Sequence, residues 1–156
     1  VAVVERHQRT GNVATAFLRG YGIKAGAVAL SIAHDSHNLI VVGVDDGEMA
    51  FAVEQLQKQE GGIVLVKDGK VIESMPMPIA GLMSDQSGEW VDQKLTAIHE
   101  AAYRELGVNA DVEPVMTLCF MSLAVIPEVK LTDMGLFDVT QFRFIPLEAD
   151  GAAQPA

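Results

Sequence analysis

The sequence predicts an α+β domain in which a mixed β-sheet carries about two main helices. The chain has 156 residues, 49% of them apolar, which suits one domain with a substantial core. Several short runs rich in Val and Ile have the length of buried strands. Two longer segments repeat apolar residues at helical spacing. We expect this domain to occupy residues 1–147 and a flexible tail of small and polar residues to occupy 148–156.

The first half of the chain is predicted to be mostly extended. Residues 1–4, 27–33 and 39–44 are short apolar runs of the kind that form strands. The glycine-rich segment 11–26 predicts turns around a short helix or strand. A polar stretch, residues 34–38, separates the second and third runs.

A helix is predicted to follow, because Asp45 or Asp46 can cap it and Glu48 completes a capping box with Asp45. Its apolar stripe has the spacing i, i+3, i+4, i+7, at Met49, Ala52, Val53 and Leu56. The glycine pair 61–62 is expected to end it.

The second half is predicted to contain a hairpin, a longer helix and two further elements. Asp68-Gly69 tolerates the positive φ of a type I′ turn, so 63–67 and 70–74 are expected to pair. Apolar positions repeat helically from about 88 to 106, and Gly107 is the predicted stop. Residues 115–126 are predicted to be buried and extended, and 137–145 to be a final strand. We expect the helices on one side of the sheet.

Composition excludes several classes of function. Asp and Glu number 21 against 11 Lys and Arg, for a net charge of −10, which argues against nucleic acid and against a polybasic membrane anchor. No apolar run reaches the roughly 20 residues of a membrane-spanning helix. The start of the chain does not resemble a signal peptide, so a cytoplasmic location is expected. Cys119 is the single cysteine, within an apolar run, and is predicted to be a buried hydrophobe.

The densest polar cluster is the run between two predicted buried strands: His34, Asp35, Ser36, His37 and Asn38. The two histidines, three residues apart, can approach one metal ion if the segment turns, and Asp35 can orient an imidazole. No third ligand is evident, so we assign no metal ligand to this chain. The alternative is a polar loop whose Asp and Asn side chains form local turn bonds.

A second polar group, Glu5, Arg6 and His7, directly follows the first predicted strand. Site residues often lie at strand ends, although a solvated turn is the alternative. His99 lies beside the apolar stripe of the second helix and is predicted to be a surface or boundary residue. The sequence lacks a dinucleotide-binding glycine pattern, a phosphate-binding loop, the H-x-E and P-C-x-x-C pattern of small zinc deaminases and a G-x-S-x-G elbow.

Three segments together resemble a known family. Residues 5–43 (ERHQRTG…HDSHNLIVVG), 61–84 (GGIVLVKDGK…PIAGLMS) and 117–139 (TLCFMSLAVIPEVKLTDMGLFDV) are similar to the carboxy-terminal region of bacterial adenine deaminases of the amidohydrolase superfamily. The resemblance implies hydrolysis of adenine to hypoxanthine and ammonia, in purine salvage. It also implies a barrel domain holding manganese or iron, whose H-x-H ligand motif is not in this chain.

We therefore expect a part of a larger enzyme, inactive alone, whose partners are adenine, the barrel domain of the same enzyme and a second copy in a homo-oligomer. No catalytic residue is assigned here. We predict that residues 34–38, with 5–7 second, close over the purine and offer hydrogen bonds to its edge. Two alternatives stay open: a stand-alone small-molecule or metal-binding module that uses His34 and His37, and a structural domain that drives oligomerisation.

Overall fold

The computed structural model describes residues 1–148, so the predicted tail lies outside the described residues apart from Glu148. Described strands are β1 (Ala2–Val4), β2 (Val13–Thr15), β3 (Ala27–Leu30), β4 (Leu39–Gly43), β5 (Gly62–Lys67), β6 (Lys70–Pro76), β7 (Val129–Thr132), β8 (Gly135–Asp138) and β9 (Arg143–Ile145). Described helices are α1 (Asp46–Lys58), α2 (Gly88–Arg104) and the single turn α3 (Met116–Cys119). Within residues 1–148, no helix has both the length and the apolar character needed to cross a bilayer.

The main sheet consists of three hairpins laid side by side. Its strand order is β2-β1-β4-β3-β5-β6, so each hairpin pairs strands that follow one another in the chain. Long-range pairings of β1 with β4 and of β3 with β5 join the hairpins. The α+β class is confirmed, but every described pairing is antiparallel rather than mixed. β4 and β5 run in the same direction, but α1 carries the chain past β3 between them. These two parallel strands are therefore not neighbours and do not pair.

The two main helices lie on opposite faces of this sheet, and the expectation that they share one side is wrong. One core cluster joins α1 to alternate strand residues, including Ala27, Ala29, Val64, Val66, Ala52 and Leu56. The other joins α2 to the residues between them, including Val28, Leu30, Ile63, Leu65, Ile98 and Ala102. Strands that are apolar at every position have two faces to bury, so a layer is needed on each side.

The helix starts and the tight hairpin are confirmed, but the capping box is not, because Glu48 Oε1 accepts from the Gly69 N–H at 2.9 Å and not from the Asp45 N–H. Asp45 Oδ1 accepts a hydrogen bond from the backbone N–H of Glu48 at 2.9 Å, and Ser87 caps α2 in the same way. Asp68 and Gly69 have φ values of +52° and +68°, as the predicted turn requires.

The segment 115–126 is not extended, which corrects the prediction. It forms α3 and a series of turns, with Leu118 and Cys119 buried. The carboxylate of Glu113 accepts a hydrogen bond from the backbone N–H of Met116 and so starts the helical turn. A short apolar run has no periodicity that separates a buried strand from a buried turn of helix.

The predicted final strand is two strands, β8 and β9, which pair with β7 in a second antiparallel sheet. The Asp138 carboxylate accepts a hydrogen bond from the backbone N–H of Gln141 at 2.9 Å, and Phe142 has a φ of +53°. These residues turn the chain back on itself. The small sheet packs beside β1 and β2.

Candidate functional site

Both predicted polar segments lie at the same end of the main sheet. β1 runs antiparallel to β4 with Val4 opposite Leu39, so the loop that follows β1 lies beside the loop that precedes β4. Residues 77–83 return to this end after β6, because Pro76 pairs with Gly62. We call residues 5–7 and 34–38 together the polar corner. Hairpin topology therefore brings together the two groups that the sequence singled out separately.

Arg6 connects three loops at this corner. Its Nε donates a hydrogen bond to the backbone oxygen of His37 at 2.5 Å, and its Nη2 donates to that of Ala80 at 3.0 Å. A side chain at Gly81 would place its Cβ 2.8 Å from Arg6 Nη1, and Gly81 has a φ of +74°. Ser31 also holds Gly81, since its Oγ donates to the Gly81 oxygen at 2.5 Å. Glycine at this position therefore lets the guanidinium approach the backbone.

Glu5 caps the loop that follows β1. Its carboxylate accepts hydrogen bonds from the backbone N–H groups of His7, Gln8 and Thr10, at 2.5, 2.7 and 3.0 Å. The bond from Gln8 is the largest cause that lowers the pKa of Glu5 to about 2. This carboxylate is therefore an anion that orders the loop, not a group that exchanges protons near neutral pH.

Asn38 and His7 also make bonds within the fold. The Asn38 side chain is buried, accepts from the Arg6 N–H at 3.4 Å and donates to Asp133 Oδ1 at 3.1 Å. His7 Nε2 lies 2.7 Å from the backbone oxygen of Ser36, so this nitrogen carries the proton. Asn38 therefore holds the corner against the small sheet, and His7 holds the loop.

Asp133 contacts the polar corner, and the sequence did not predict this contact. Its second carboxylate oxygen accepts from Asn12 at 3.3 Å, so it connects the first hairpin, the second hairpin and the β7–β8 turn. The only sequence signal was the turn composition of residues 132–135, which does not reveal a distant partner.

The two histidines of residues 34–38 are held in different ways. The backbone N–H of His34 donates to the backbone oxygen of Cys119 at 2.8 Å. The His34 ring stacks on the Phe120 ring, with centroids 5.0 Å apart. His37 Nδ1 accepts a hydrogen bond from the Ala33 N–H at 3.3 Å. Desolvation, with the nearby His34 and Arg6, lowers the pKa of His37. A neutral His37 whose Nδ1 is an acceptor carries its proton on Nε2, where it can donate.

The geometry does not favour a metal centre. The rings of His34 and His37 meet edge to face with centroids 5.2 Å apart, and His37 Nδ1 already accepts a backbone N–H. Among residues 1–148, no three His, Cys, Asp or Glu side chains are grouped so as to hold an ion.

Two openings flank the corner. A cavity of about 380 Å³ is lined by Glu5, Arg6 and Arg9 together with the end of α1. A groove of about 380 Å³ lies beside Asp35 and Ser36, which are exposed. Asp35 and Ser36 are exposed and His34 and His37 are half-buried, so these side chains of residues 34–38 reach solvent, as do the exposed His7 and the half-buried Glu5 and Arg6.

Two other residues agree with their sequence interpretation. Cys119 is 4% exposed, and burial raises the pKa of its thiol to about 11, so it is a buried hydrophobe. His99 lies within α2 and is half-buried, at the boundary between core and solvent, with its Nε2 2.6 Å from Glu113 Oε1.

A family model and the curated relatives point to the same family. The family model described as "Adenine deaminase C-terminal domain" matches residues 1–143. The chain is 77% identical over 149 residues to adenine deaminase 2 of Desulfotalea psychrophila. The match covers 96% of this chain and 26% of that relative. The chain is 54% identical over 150 residues to adenine deaminase of Ligilactobacillus salivarius, again over 96% of this chain and 26% of the relative. The chain thus spans about a quarter of the length of these curated relatives.

Proposed function

This chain belongs to the adenine deaminase C-terminal domain family, and from this premise we propose that it is part of an enzyme that hydrolyses adenine to hypoxanthine and ammonia. The observation that carries the proposal is that 96% of this chain matches relatives that bear the name adenine deaminase, over 26% of each relative's length. A role in purine salvage in the cytoplasm follows as part of the same proposal.

In this proposal the metal chemistry belongs to the other part of the enzyme. The described residues group no three ligands for an ion, so manganese or iron is assigned to the barrel domain that the family resemblance implies. The isolated chain is then inactive. Adding manganese or iron to the purified chain tests this, and conversion of adenine at an enzyme-like rate would refute it.

The polar corner is proposed to bind the purine rather than to catalyse. Neutral His37 offers an N–H donor on Nε2, which suits a ring nitrogen of adenine. Asp35 offers acceptor oxygens and Ser36 a hydroxyl, which suit N–H groups of the base. Arg6, Glu5, His7 and Asn38 serve by holding these side chains in place.

Substitution in the full-length enzyme tests the corner. We expect His37→Ala and His34→Ala to raise the KM for adenine while the fold, judged by circular dichroism and melting temperature, is retained. His99→Ala, on α2, is the matched control and should leave the KM unchanged. Wild-type KM and kcat in both corner variants would remove the binding role while leaving the membership of the enzyme intact.

We also propose that the full-length enzyme forms a homo-oligomer. The large apolar side chain of Phe17 is exposed at 97%. Exposed apolar area of this kind is used for contacts with other parts of a protein or with other copies. Sedimentation of the full-length enzyme measures the state directly.

A further inference from the structure

An apolar groove opens between the polar corner and the small sheet. It is formed by residues 122–125 on one side and by Met134, Phe137 and Phe144 on the other, with Asp35 and Ser36 at its rim. We call this set the corner groove. Val125, Met134 and Phe144 are 69%, 70% and 50% exposed, so the groove presents large apolar side chains to solvent.

The groove is a built feature of the fold. Phe137 meets both Phe142 and Phe144 edge to face, with centroids 5.2 Å apart in each pair. On the opposite wall, the Leu131 N–H donates to the Met121 oxygen at 3.1 Å, and Ser122 Oγ donates to the His34 oxygen at 3.2 Å. The side chains therefore stand on a fixed backbone, and covering them gains about 25 cal/mol for each Å² removed from water.

We propose that the corner groove is where the remainder of the same adenine deaminase polypeptide docks, an inference that rests on the proposed function. The chain spans about a quarter of its relatives, so about three quarters of such a polypeptide is available to cover the groove. Asp35 and Ser36 line the groove and also belong to the polar corner. A body that meets the corner to share a substrate therefore meets the groove as well.

Charge selects this occupant over a second copy of the chain. The chain has a net charge of −10, and the rim carries the carboxylates of Asp35 and Asp133. Two copies joined through this groove would oppose acidic rims, which is unfavourable at an interface. The partner surface is thus expected to insert an apolar side chain into the groove and to place Lys or Arg around it.

Photo-cross-linking in the full-length enzyme tests the occupant. A photo-cross-linking amino acid replaces Met134, and a second protein carries it at Val71, which is 42% exposed on the opposite sheet edge, β6. We expect position 134 to cross-link within one polypeptide, to peptides outside this domain, and position 71 to give far less. Cross-linked dimers through the groove, or equal yields at the two positions, would overturn the proposal.

Hydrogen exchange provides a second measurement. In the full-length enzyme, Met134→Asp should speed amide exchange in residues 123–126 and 132–137 on the order of tenfold, because the cover is loosened. Val71→Asp is the control and should leave those amides unchanged; no change in either variant would contradict docking. Deamination of adenine by the unaltered full-length protein is measured separately. A protein that does not deaminate adenine would refute the proposed function, whereas the cross-links would still decide where the remainder of the polypeptide docks.

Discussion

Replacing the guanidinium of Arg6 should destabilise the chain substantially, although the side chain lies at the surface of one loop. Its two hydrogen bonds to the His37 and Ala80 oxygens join three separate loops. A hydrogen bond from a charged donor contributes about 1.5–3 kcal/mol, and the exposed bond to Ala80 belongs at or below the low end. Arg6→Met keeps the aliphatic stem, so we expect the free energy of unfolding to fall by about 2–4 kcal/mol.

Urea unfolding of the chain measures this change. Arg9→Met is the matched control, because Arg9 is an exposed arginine beside the same cavity, and it should change the free energy of unfolding by less than about 0.5 kcal/mol. Equal, small effects of the two substitutions would refute the reasoning that Arg6 joins the loops.

A double-mutant cycle with Gly81 sharpens the same prediction. Gly81→Ala is costly because of its positive φ and because the new Cβ meets Arg6 Nη1. With Arg6→Met in place the second cost is relieved, so the double variant should be more stable than the sum of the single effects by about 0.5–1 kcal/mol. Strict additivity would show that the guanidinium does not lie against Gly81.

Three further predictions concern the core and the corner. Tyr21→Phe should lower the free energy of unfolding by about 1–3 kcal/mol, since it leaves a buried backbone oxygen without its donor, and Tyr103→Phe, with a less buried hydroxyl, should cost less in the same urea experiment. Cys119 should react with a maleimide only after denaturation, and rapid labelling of the native chain would contradict its burial. The folded state lowers the pKa of His37 below its usual 6.5, so its contribution to stability is complete above that pH and is lost as pH falls below it. His37→Asn should therefore flatten the acid side of the stability profile, and an unchanged profile would exclude this coupling.

The local elements were predictable because their signals are local. Asp45 and Glu48 mark the start of α1, and Asp68-Gly69 is one of the few dipeptides that favour a two-residue hairpin turn. The layers that cover β3, which is buried at every position, were not predictable. An unbroken apolar run states that both faces are buried, but not which helix covers each face.

The candidate site was predictable in its members and not in its assembly. Residues 5–7 and 34–38 stood out as polar groups beside apolar strands. Their meeting depends on the pairing of β1 with β4, which the sequence does not encode in any short pattern. Asp133 lay outside any such pattern for the same reason, since its partners Asn12 and Asn38 are remote in the chain.

The arrangement of the sheet as three adjacent hairpins has a consequence for how the chain folds. Each hairpin closes a short loop, whereas the β1–β4 and β3–β5 joins bring together distant parts of the chain and are the slower events. The polar corner takes residues 5–7 from the first hairpin and 34–38 from the second, and Arg6 bonds it to Ala80 in the segment after the third. An intermediate with all three hairpins formed but not yet joined would have native-like strands and no corner. A fluorescent probe on Ser36 would therefore respond at the final joining step, later than circular dichroism.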